Sequence, residues 1–466
     1  MKRKNLVFLH LESIAWQALR AFPEAFPNLA RLMPVARVFR WYFSSATSTQ
    51  MVLAFLLHGN DFEFDAAEGI AKPAANNPSL FSTLQAAGYQ TEFLCVSALE
   101  AKTMLPLLAG TLPPVWKTND FAALLEKFAD IAERPPFAIY FWNLATHVEH
   151  ALALKSVARG VEEVVGGACA VADHALGHIL EILERKNLMP ETTVVVFGDH
   201  GDDYWTHGFK KGILHGIEPY TALVHAPLLI LDPALAPGED HRLAGTIDLA
   251  PTCLDLMNVP APLLFAESGQ SLVRGAGRGH VFSQNFAANQ PDNADWDIRK
   301  GFAVHDRAYT LLATSRGLEL FNHRLDPANH CNLLHFFDLD ARGTLALDPP
   351  PGFAHPHFAA AMRVLLGEGD AVKGAFARLH PPLKEQIGKK NAYAASRKPA
   401  RLQTLDPACL DTINRNGRDR FFARAEATAP SAGAAPPMPP LAAPPQRSRL
   451  AAALAMLFRR GGEQRR

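Results

Sequence analysis

The chain is poor in cysteine and has no long apolar run. Its five cysteines are scattered and form no Cys-x-x-Cys pair, which argues against a disulfide framework or a thiolate zinc site and favours a reducing compartment. No stretch reaches the roughly 18 apolar residues of a membrane-spanning helix. The formal net charge is zero, so no global field favours nucleic acid. We therefore expect a cytoplasmic protein without a nucleic-acid partner.

The composition is typical of a globular protein with a sizeable core. Apolar residues make up 48% of the chain and charged residues 20%, as in ordinary soluble domains. A chain of 466 residues exceeds the usual size of a single core, so we expect a large α/β domain with additions. Apolar runs predict strands at 5–11, 91–95, 137–142, 193–197 and 226–231, alternating with amphipathic helices as in a doubly wound sheet.

One apolar run leads directly into a glycine-flanked Asp-His pair. Residues 194–201 read Val-Val-Val-Phe-Gly-Asp-His-Gly, and apolar residues without alternation are typical of a strand buried on both faces. Ligands gather at the carboxyl ends of such strands. Asp199 and His200 are therefore candidate metal ligands. The alternative is a turn with a capping Asp and an incidental His.

An acidic residue also follows the first apolar segment. Basic residues precede segment 5–11, as they do in a signal peptide. The apolar segment is nevertheless short, it contains His10, and no cleavage site of small residues follows it. We interpret it as the first core strand, ending on Glu12 and Ser13. Either residue could bind a ligand or simply cap the helix predicted at 14–22.

Small hydroxyl residues cluster at 44–49, just before a helix predicted at 51–57. A hydroxyl at a helix N-terminus lies among free N–H groups and at the positive end of the helix dipole, which also favours a bound anion. Thr49 is therefore a candidate nucleophile activated by a metal ion. The alternative is an N-cap with spare serines.

Together these segments resemble the sulfatase-like branch of the alkaline-phosphatase superfamily, from Asn5 to Leu334. The motifs, in chain order, are Glu12; Thr49 followed by Leu56-Leu57-His58-Gly59; Gly198-Asp199-His200-Gly201; Thr206-His207-Gly208 with Lys210-Lys211-Gly212; Tyr220 with 226–230; 246–256 with 269–272; and 319–322 with Asp326-Pro327 and Asn332-Leu333. The resemblance implies a doubly wound α/β sheet with helices on both faces and a smaller C-terminal sheet at about 280–335.

The nucleophile segment departs from true sulfatases. Those enzymes make formylglycine from Cys or Ser in a Cys/Ser-x-Pro-x-Arg context, whereas Thr49, Met51 and Leu53 occupy the matching positions here. Threonine cannot form that aldehyde. Thr47-Ser48-Thr49 instead looks like the segment of lipid A phosphoethanolamine transferases, whose second Thr is the nucleophile.

The resemblance also implies a metal site. Glu12, Thr49, Asp199 and His200 match, one for one, the single-metal site of lipoteichoic acid synthases. Because these ligands are hard or borderline and include no Cys, we expect one Zn²⁺ or Mn²⁺ ion. The Asp-x-x-x-His motif of two-metal members is matched at 143–147 by Asn, a poor ligand for a second divalent ion.

Several basic residues are candidates for contact with the substrate. We expect His147 and His207 to bind the transferred group or protonate the leaving oxygen, with His150 as an alternative to His147. Lys211 is the candidate for contact with an anionic substrate, and a solvated pair with Lys210 is the alternative.

The implied function is a metal-dependent phospho-group transferase of the phosphoethanolamine or phosphoglycerol type. It would act on a phosphate ester or a lipid-linked glycan through a covalent phosphothreonine intermediate. One alternative is a sulfatase-like phosphodiesterase, phosphatase or sulfuric ester hydrolase. A further alternative is a non-catalytic relative that uses the fold for binding.

The composition along the chain predicts its division into domains. We expect a catalytic domain at 1–335 and a helical extension at 336–424, with helices at 356–366 and 371–379. An Ala/Pro-rich linker at 425–446 and a basic amphipathic tail at 447–466 follow. Apolar residues flanked by arginines make this tail a candidate for peripheral contact with the inner membrane surface; a frayed tail is the alternative.

Overall fold

The computed structural model describes residues 3–59, 78–96, 112–147, 161–204, 207, 213–262, 269–285, 299–348, 369–396 and 405–418. Several predicted features lie outside the described residues, namely His150, Lys211, the helix expected at 356–366, the linker and the basic tail. The domain boundaries and the membrane role of the tail therefore stay predictions. Among the described residues, no helix combines the length and the apolar character needed to cross a bilayer.

The secondary structure alternates between strands and helices. The strands are β1 (Asn5–Leu11), β2 (Arg37–Phe43), β3 (Gln90–Val96), β4 (Val115–Lys117), β5 (Phe137–Asn143), β6 (Thr192–Gly198), β7 (Asp203–Tyr204), β8 (Ile213–Leu214), β9 (Leu228–Leu231), β10 (Gly238–Gly245), β11 (Val281–Gln284), β12 (Gly301–His305), β13 (Tyr309–Thr314), β14 (Gly317–Asn322), β15 (Phe337–Leu339) and β16 (Leu345–Leu347). The helices are α1 (Trp16–Ala21), α2 (Pro27–Leu32), α3 (Thr49–His58), α4 (Leu80–Ala86), α5 (Phe121–Ile131), α6 (Val161–Arg185), α7 (Thr221–Val224), α8 (Leu249–Leu256) and α9 (Asp370–Ser396).

An eight-stranded sheet forms the centre, in the order β10-β2-β9-β6-β1-β5-β3-β4. β1 pairs in parallel with β5 and with β6, and the register places Leu11 beside Asn143 and Gly198. β9 is antiparallel to β6 and β2, so the sheet is mixed. The expected α/β fold is confirmed, and the carboxyl ends of the three central strands lie at one edge.

β1 is buried on both faces, as its unbroken apolar sequence predicts. Leu6 and Phe8 pack in one hydrophobic cluster, while Val7 and Leu9 pack in the cluster on the opposite face. Alternate residues of a strand point to opposite sides of the sheet. His10 therefore continues the face of Leu6 and Phe8, which brings a polar ring into the core just before the strand ends.

The smaller C-terminal sheet is also present. Its order is β11-β12-β13-β14, and adjacent strands are antiparallel. α9 packs against it in a cluster that includes Leu320, Phe376 and Leu383. The helix predicted at 371–379 is therefore correct but too short, because α9 continues through Pro381 and Pro382.

Three buried histidines surround Phe43 between the large and small sheets. The ring centroid of Phe43 lies 4.5 Å from that of His305, 5.0 Å from that of His225 and 5.5 Å from that of His323. Burial lowers the pKa of His225 and of His323 to about 3 and holds the pKa of His305 well below its usual value. All three rings are neutral at pH 7.

These histidines predict a loss of stability in acid. The unfolded chain binds a proton at each histidine below about pH 6.5, whereas folded His323 does so only near pH 3. Each such group therefore lowers the free energy of unfolding by about 1.4 kcal/mol per pH unit across that window. Urea unfolding should show His323→Gln losing less stability than the wild type between pH 6 and pH 4.

The exposed His241 provides the control, with 61% of its side chain accessible. His241→Gln should run parallel to the wild type over the same pH range. If His323→Gln also runs parallel, folded His323 titrates normally and the account of this cluster is wrong.

Candidate metal and nucleophile site

Three strand ends and one helix N-terminus converge at the edge of the central sheet. Glu12 follows β1, Asp199 and His200 follow β6, and Trp142 lies near the end of β5. Thr49 is the first residue of α3. The four residues that the sequence proposed as ligands are all buried and contact one another.

Thr49 lies between an acid and a histidine. Its Oγ1 donates a hydrogen bond to Glu12 Oε1 at 3.0 Å and lies 3.1 Å from His200 Nε2. Ser48, the residue before the helix, is extended and makes no side-chain cap. The hydroxyl of Thr49 is thus held beside two groups that can accept its proton, at a helix N-terminus that favours negative charge.

The carboxylate of Glu12 is fixed by donors on both sides. Its Oε2 accepts a hydrogen bond from Trp142 Nε1 at 2.7 Å, and its Oε1 accepts one from Ser13 Oγ at 3.3 Å as well as that from Thr49. Burial raises the pKa of Glu12 well above its usual value, and the nearby Asp199 raises it further. Two carboxylates in one dry site need a positive partner.

Asp199 is bound by the backbone of the β1 loop. Its Oδ1 accepts the N–H of Ser13 at 2.9 Å, and Ser13 has a φ of 53°, a rare left-handed value for a residue other than glycine. Its Oδ2 lies 3.2 Å from His200 Nε2 and 3.3 Å from His10 Nε2. Burial alone would raise the pKa of Asp199, but these two rings and the Ser13 N–H outweigh it and lower the pKa.

His10 is a site residue that was not predicted from the sequence. Its Nδ1 lies 3.0 Å from the Tyr140 hydroxyl, and its ring stacks between Trp142 and Phe197 with centroids 5.6 and 5.1 Å away. Its Nε2 lies 3.5 Å from Glu12 Oε2. The alternation of the strand could have indicated it, because His10 and Glu12 are two residues apart and therefore share a face of the sheet.

These residues fit a divalent cation. One atom each of His10, Glu12 and Asp199 lies within 4.8 Å of the others, and all three residues are buried. Among the described residues, His10 Nε2 and Asp199 Oδ2 have no well-aligned hydrogen bond, although the two atoms lie 3.3 Å apart. Buried polar atoms are normally paired, and carboxylate oxygens with imidazole nitrogen suit Zn²⁺ or Mn²⁺. The metal itself stays a prediction.

A row of histidines leads away from the nucleophile. The ring centroid of His215 lies 4.9 Å from that of His200 and 5.3 Å from that of His147. His215 Nδ1 also lies 2.8 Å from Asp202 Oδ1. His147 was predicted as a site residue and His215 was not; His215 lies directly after β8 and before Gly216.

His207 does not belong to this row of histidines and has other contacts. Its ring stacks on Tyr220 with centroids 3.8 Å apart, its Nδ1 lies 2.6 Å from Asp203 Oδ1, and its ring centroid is 5.8 Å from that of His330. The Asp-x-x-x-His spacing at 203–207 thus forms a local pair. A substrate role for His207 stays a prediction.

The glycines around the Asp-His pair are required by close packing. A Cβ on Gly198 would lie 2.0 Å from the carbonyl oxygen of Ile14, and one on Gly201 would lie 2.6 Å from the Cβ of Ala15. The loop after β1 therefore packs directly against the loop after β6. That contact brings Ser13 to Asp199.

The sequence of this chain matches that of known proteins. The sulfatase family model matches residues 4–259. Arylsulfatase K of Rattus norvegicus is 30% identical over 180 residues, which cover 35% of this chain and 30% of that protein. Arylsulfatase A of Homo sapiens is 26% identical over 206 residues, which cover 42% of this chain and 39% of that protein. The chain thus matches well under half of the length of these relatives.

Solved structures share the fold at low sequence identity. A 2-O GAG sulfatase has a TM-score of 0.56 at 14% identity, covering 89% of this chain and 97% of that one. The phosphonate monoester hydrolase of Agrobacterium radiobacter has a TM-score of 0.51 at 14% identity, covering 75% and 100%. The finer likeness to phosphoethanolamine transferases and lipoteichoic acid synthases stays a prediction. With more than half of its length matched by the family model, the chain belongs to the sulfatase family.

Proposed function

We propose that the protein is a metal-dependent hydrolase of anionic esters, with phosphodiesters as the preferred class and Thr49 as the nucleophile. The observation that carries this proposal is the position of Thr49 Oγ1, within hydrogen-bonding distance of both Glu12 Oε1 and His200 Nε2. A nucleophile beside a base, at the edge where strand ends meet, is the arrangement that covalent catalysis needs.

Glu12, Thr49, Asp199 and His200 would hold the ion, and His10 faces the same carboxylates. A bound divalent ion would lower the pKa of the threonine hydroxyl and offset the negative charge of the ester. The buried ring of His200 has a lowered pKa, chiefly from burial. It is therefore neutral, as a ligand or proton acceptor must be.

The reaction would proceed in two displacements. Thr49 Oγ1 would attack phosphorus as its proton passes to Glu12 Oε1, the carboxylate oxygen that accepts its hydrogen bond. The leaving alcohol would take a proton from the pair formed by His147 and His215. This gives a phosphothreonine that still carries the second ester group. Water would then attack phosphorus and give a proton back to the His147 and His215 pair, while Glu12 returns its proton to the departing Thr49 oxygen, so that the phosphate monoester is released and the hydroxyl is restored.

The nucleophile argues for phosphorus over sulfur. Thr49 cannot become the aldehyde on which formylglycine sulfatases depend. The relatives are nevertheless arylsulfatases, and one structural neighbour is described in complex with its substrate D-glucosamine-2-N,6-O-disulfate. Sulfate esters of glycans therefore compete as substrates, with Lys211 and His207 as proposed contacts for the anionic group.

Transfer to an alcohol is the second candidate. The Thr47-Ser48-Thr49 segment and the Glu-Thr-Asp-His set favour it, because both match the transferases that the sequence resembles. Only the second displacement differs: a glycan or lipid-linked hydroxyl replaces water as the acceptor. If the basic tail contacts a membrane surface, as its sequence predicts, it would bring the site close to such a substrate.

A substrate panel tests the proposal. We expect metal-replete protein to hydrolyse a chromogenic phosphodiester faster than a phosphomonoester or a sulfate ester, and a chelator to stop all turnover. Added glycerol should divert product into a glycerol ester if transfer dominates. A preference for the sulfate ester would instead establish a sulfatase and overturn the phosphodiester assignment.

A further inference from the structure

A groove of about 1020 Å³ lies where β2 and β10 of the large sheet approach the small sheet and α9. Five of its lining residues are arginines, namely Arg242, Arg278, Arg307, Arg324 and Arg378, and Trp41 forms part of the wall. None of the lining residues that the structure describes belongs to the metal and nucleophile site. The groove is therefore a separate feature of the molecule.

Two of the arginines build the wall. Arg242 Nε lies 3.0 Å from Asp240 Oδ1, and its Nη2 donates to the carbonyl of Leu272 at 2.8 Å. Arg278 Nε donates to Asp248 Oδ1 and Oδ2 at 2.9 Å each. Asp248 neutralises Arg278, whereas Arg242 shares Asp240 with Arg37 and so keeps part of its positive charge. The two guanidinium groups are fixed by these bonds and shape the groove.

The arginines at the rim of the groove have positive charge available for a ligand. Arg378 is 60% exposed and reaches Asp306 with an Nη2–Oδ2 distance of 3.0 Å. Arg307 and Arg324 are both exposed. Within the part of the chain that the structure describes, neither has a carboxylate partner. They come from two loops, one between β12 and β13 and one after β14.

We propose that this groove binds an acidic oligosaccharide, with phosphate or sulfate groups on its sugar units. Guanidinium groups present paired N–H donors that match phosphate and sulfate oxygens. Trp41 is half-buried and stacks on His225, and the part of its indole that lines the groove is an apolar contact for a sugar ring. Two unpaired arginines on separate loops suit two anionic groups on one chain.

The size of the groove favours an oligosaccharide over a nucleic acid as the ligand. A volume near 1000 Å³ is that of a pocket for a small molecule. Specific DNA complexes instead bury a strongly basic surface of roughly 1,000 Å² or more, whereas this chain has zero formal net charge. The proposal concerns binding alone and does not depend on the reaction at Thr49.

The test measures binding directly. Fluorescence anisotropy of a labelled heparin-derived oligosaccharide should give about tenfold weaker binding for Arg307→Gln/Arg324→Gln than for the wild type at low salt. It should also give a smaller salt dependence, because two ionic contacts are lost. The charge-retaining Arg307→Lys/Arg324→Lys variant should recover part of the affinity. Turnover of a small chromogenic ester should be unchanged in both variants.

The exposed Arg342, in the turn between β15 and β16, is the matched control, and Arg342→Gln should bind like the wild type. A phosphorylated mannan fragment in place of the heparin probe distinguishes phosphate from sulfate as the recognised group, and binding of either supports the proposal. Equal affinity of the double variant and the wild type would overturn it. So would equal binding of neutral dextran, or a preference for single-stranded DNA.

Discussion

Replacement of Thr49 by alanine is expected to abolish turnover, with a fall in kcat of at least about 10³-fold, as for other nucleophile deletions. The reason is geometric: Thr49 Oγ1 is the hydroxyl that Glu12 and His200 both contact. The free energy of unfolding should change little, because the substitution removes one hydroxyl and one methyl. Initial rates on the chromogenic phosphodiester and a urea unfolding curve measure the two effects.

Two matched variants control this prediction. Thr49→Ser keeps the hydroxyl and should keep a substantial part of the activity. Thr47→Ala removes a neighbouring hydroxyl whose Oγ1 donates to the carbonyl of Ile217 at 2.9 Å, and it should remain active. Wild-type rates in Thr49→Ala, or inactivity confined to Thr47→Ala, would show that the wrong threonine was assigned.

Asp199→Asn is expected to remove the metal. The amide has the shape of the carboxylate but not its charge, and Asp199 is the acid that His200, His10 and Ser13 hold in its ionised form. Mass-spectrometric elemental analysis should find close to one Zn²⁺ or Mn²⁺ per wild-type chain and very little in the variant. Turnover should fall with the metal content.

Asp173→Asn is the control for this loss. Asp173 is also a buried acid, but it accepts hydrogen bonds from the backbone N–H groups of Asn28 and Leu29 at the start of α2. Its substitution should lower stability and leave the metal in place. Full metal content in Asp199→Asn would refute the ligand assignment.

The sequence predicted the fold where apolar runs were unbroken. β1, β5 and β6 read as buried strands and are so. β2 was missed because the charged Arg37 and Arg40 interrupt its apolar residues. α9 was predicted too short because prolines usually end helices, and here burial of Leu383 and Ile387 beyond Pro382 continues the helix.

The site was predictable where residues follow strand ends. Glu12 and Asp199 were selected on that ground, and the parallel register of β1 with β6 brings them together. His10 and Trp142 lie within strands, where an aromatic or imidazole ring usually belongs to the core. Their contacts with the acids depend on register, which a single sequence does not give. His215 was missed because it lies on a loop after β8 and follows no apolar run that would mark it as part of the site.

The central claim is that Thr49 carries the reacting group between the two displacements. Rapid acid quenching during turnover of the phosphodiester, followed by peptide mass spectrometry, tests it directly. The account predicts a peptide with a substituted phosphoryl group on Thr49, present in the wild type and absent from Thr49→Ala. An adduct on another residue, or full single-turnover release of product with no adduct at any time, would contradict it.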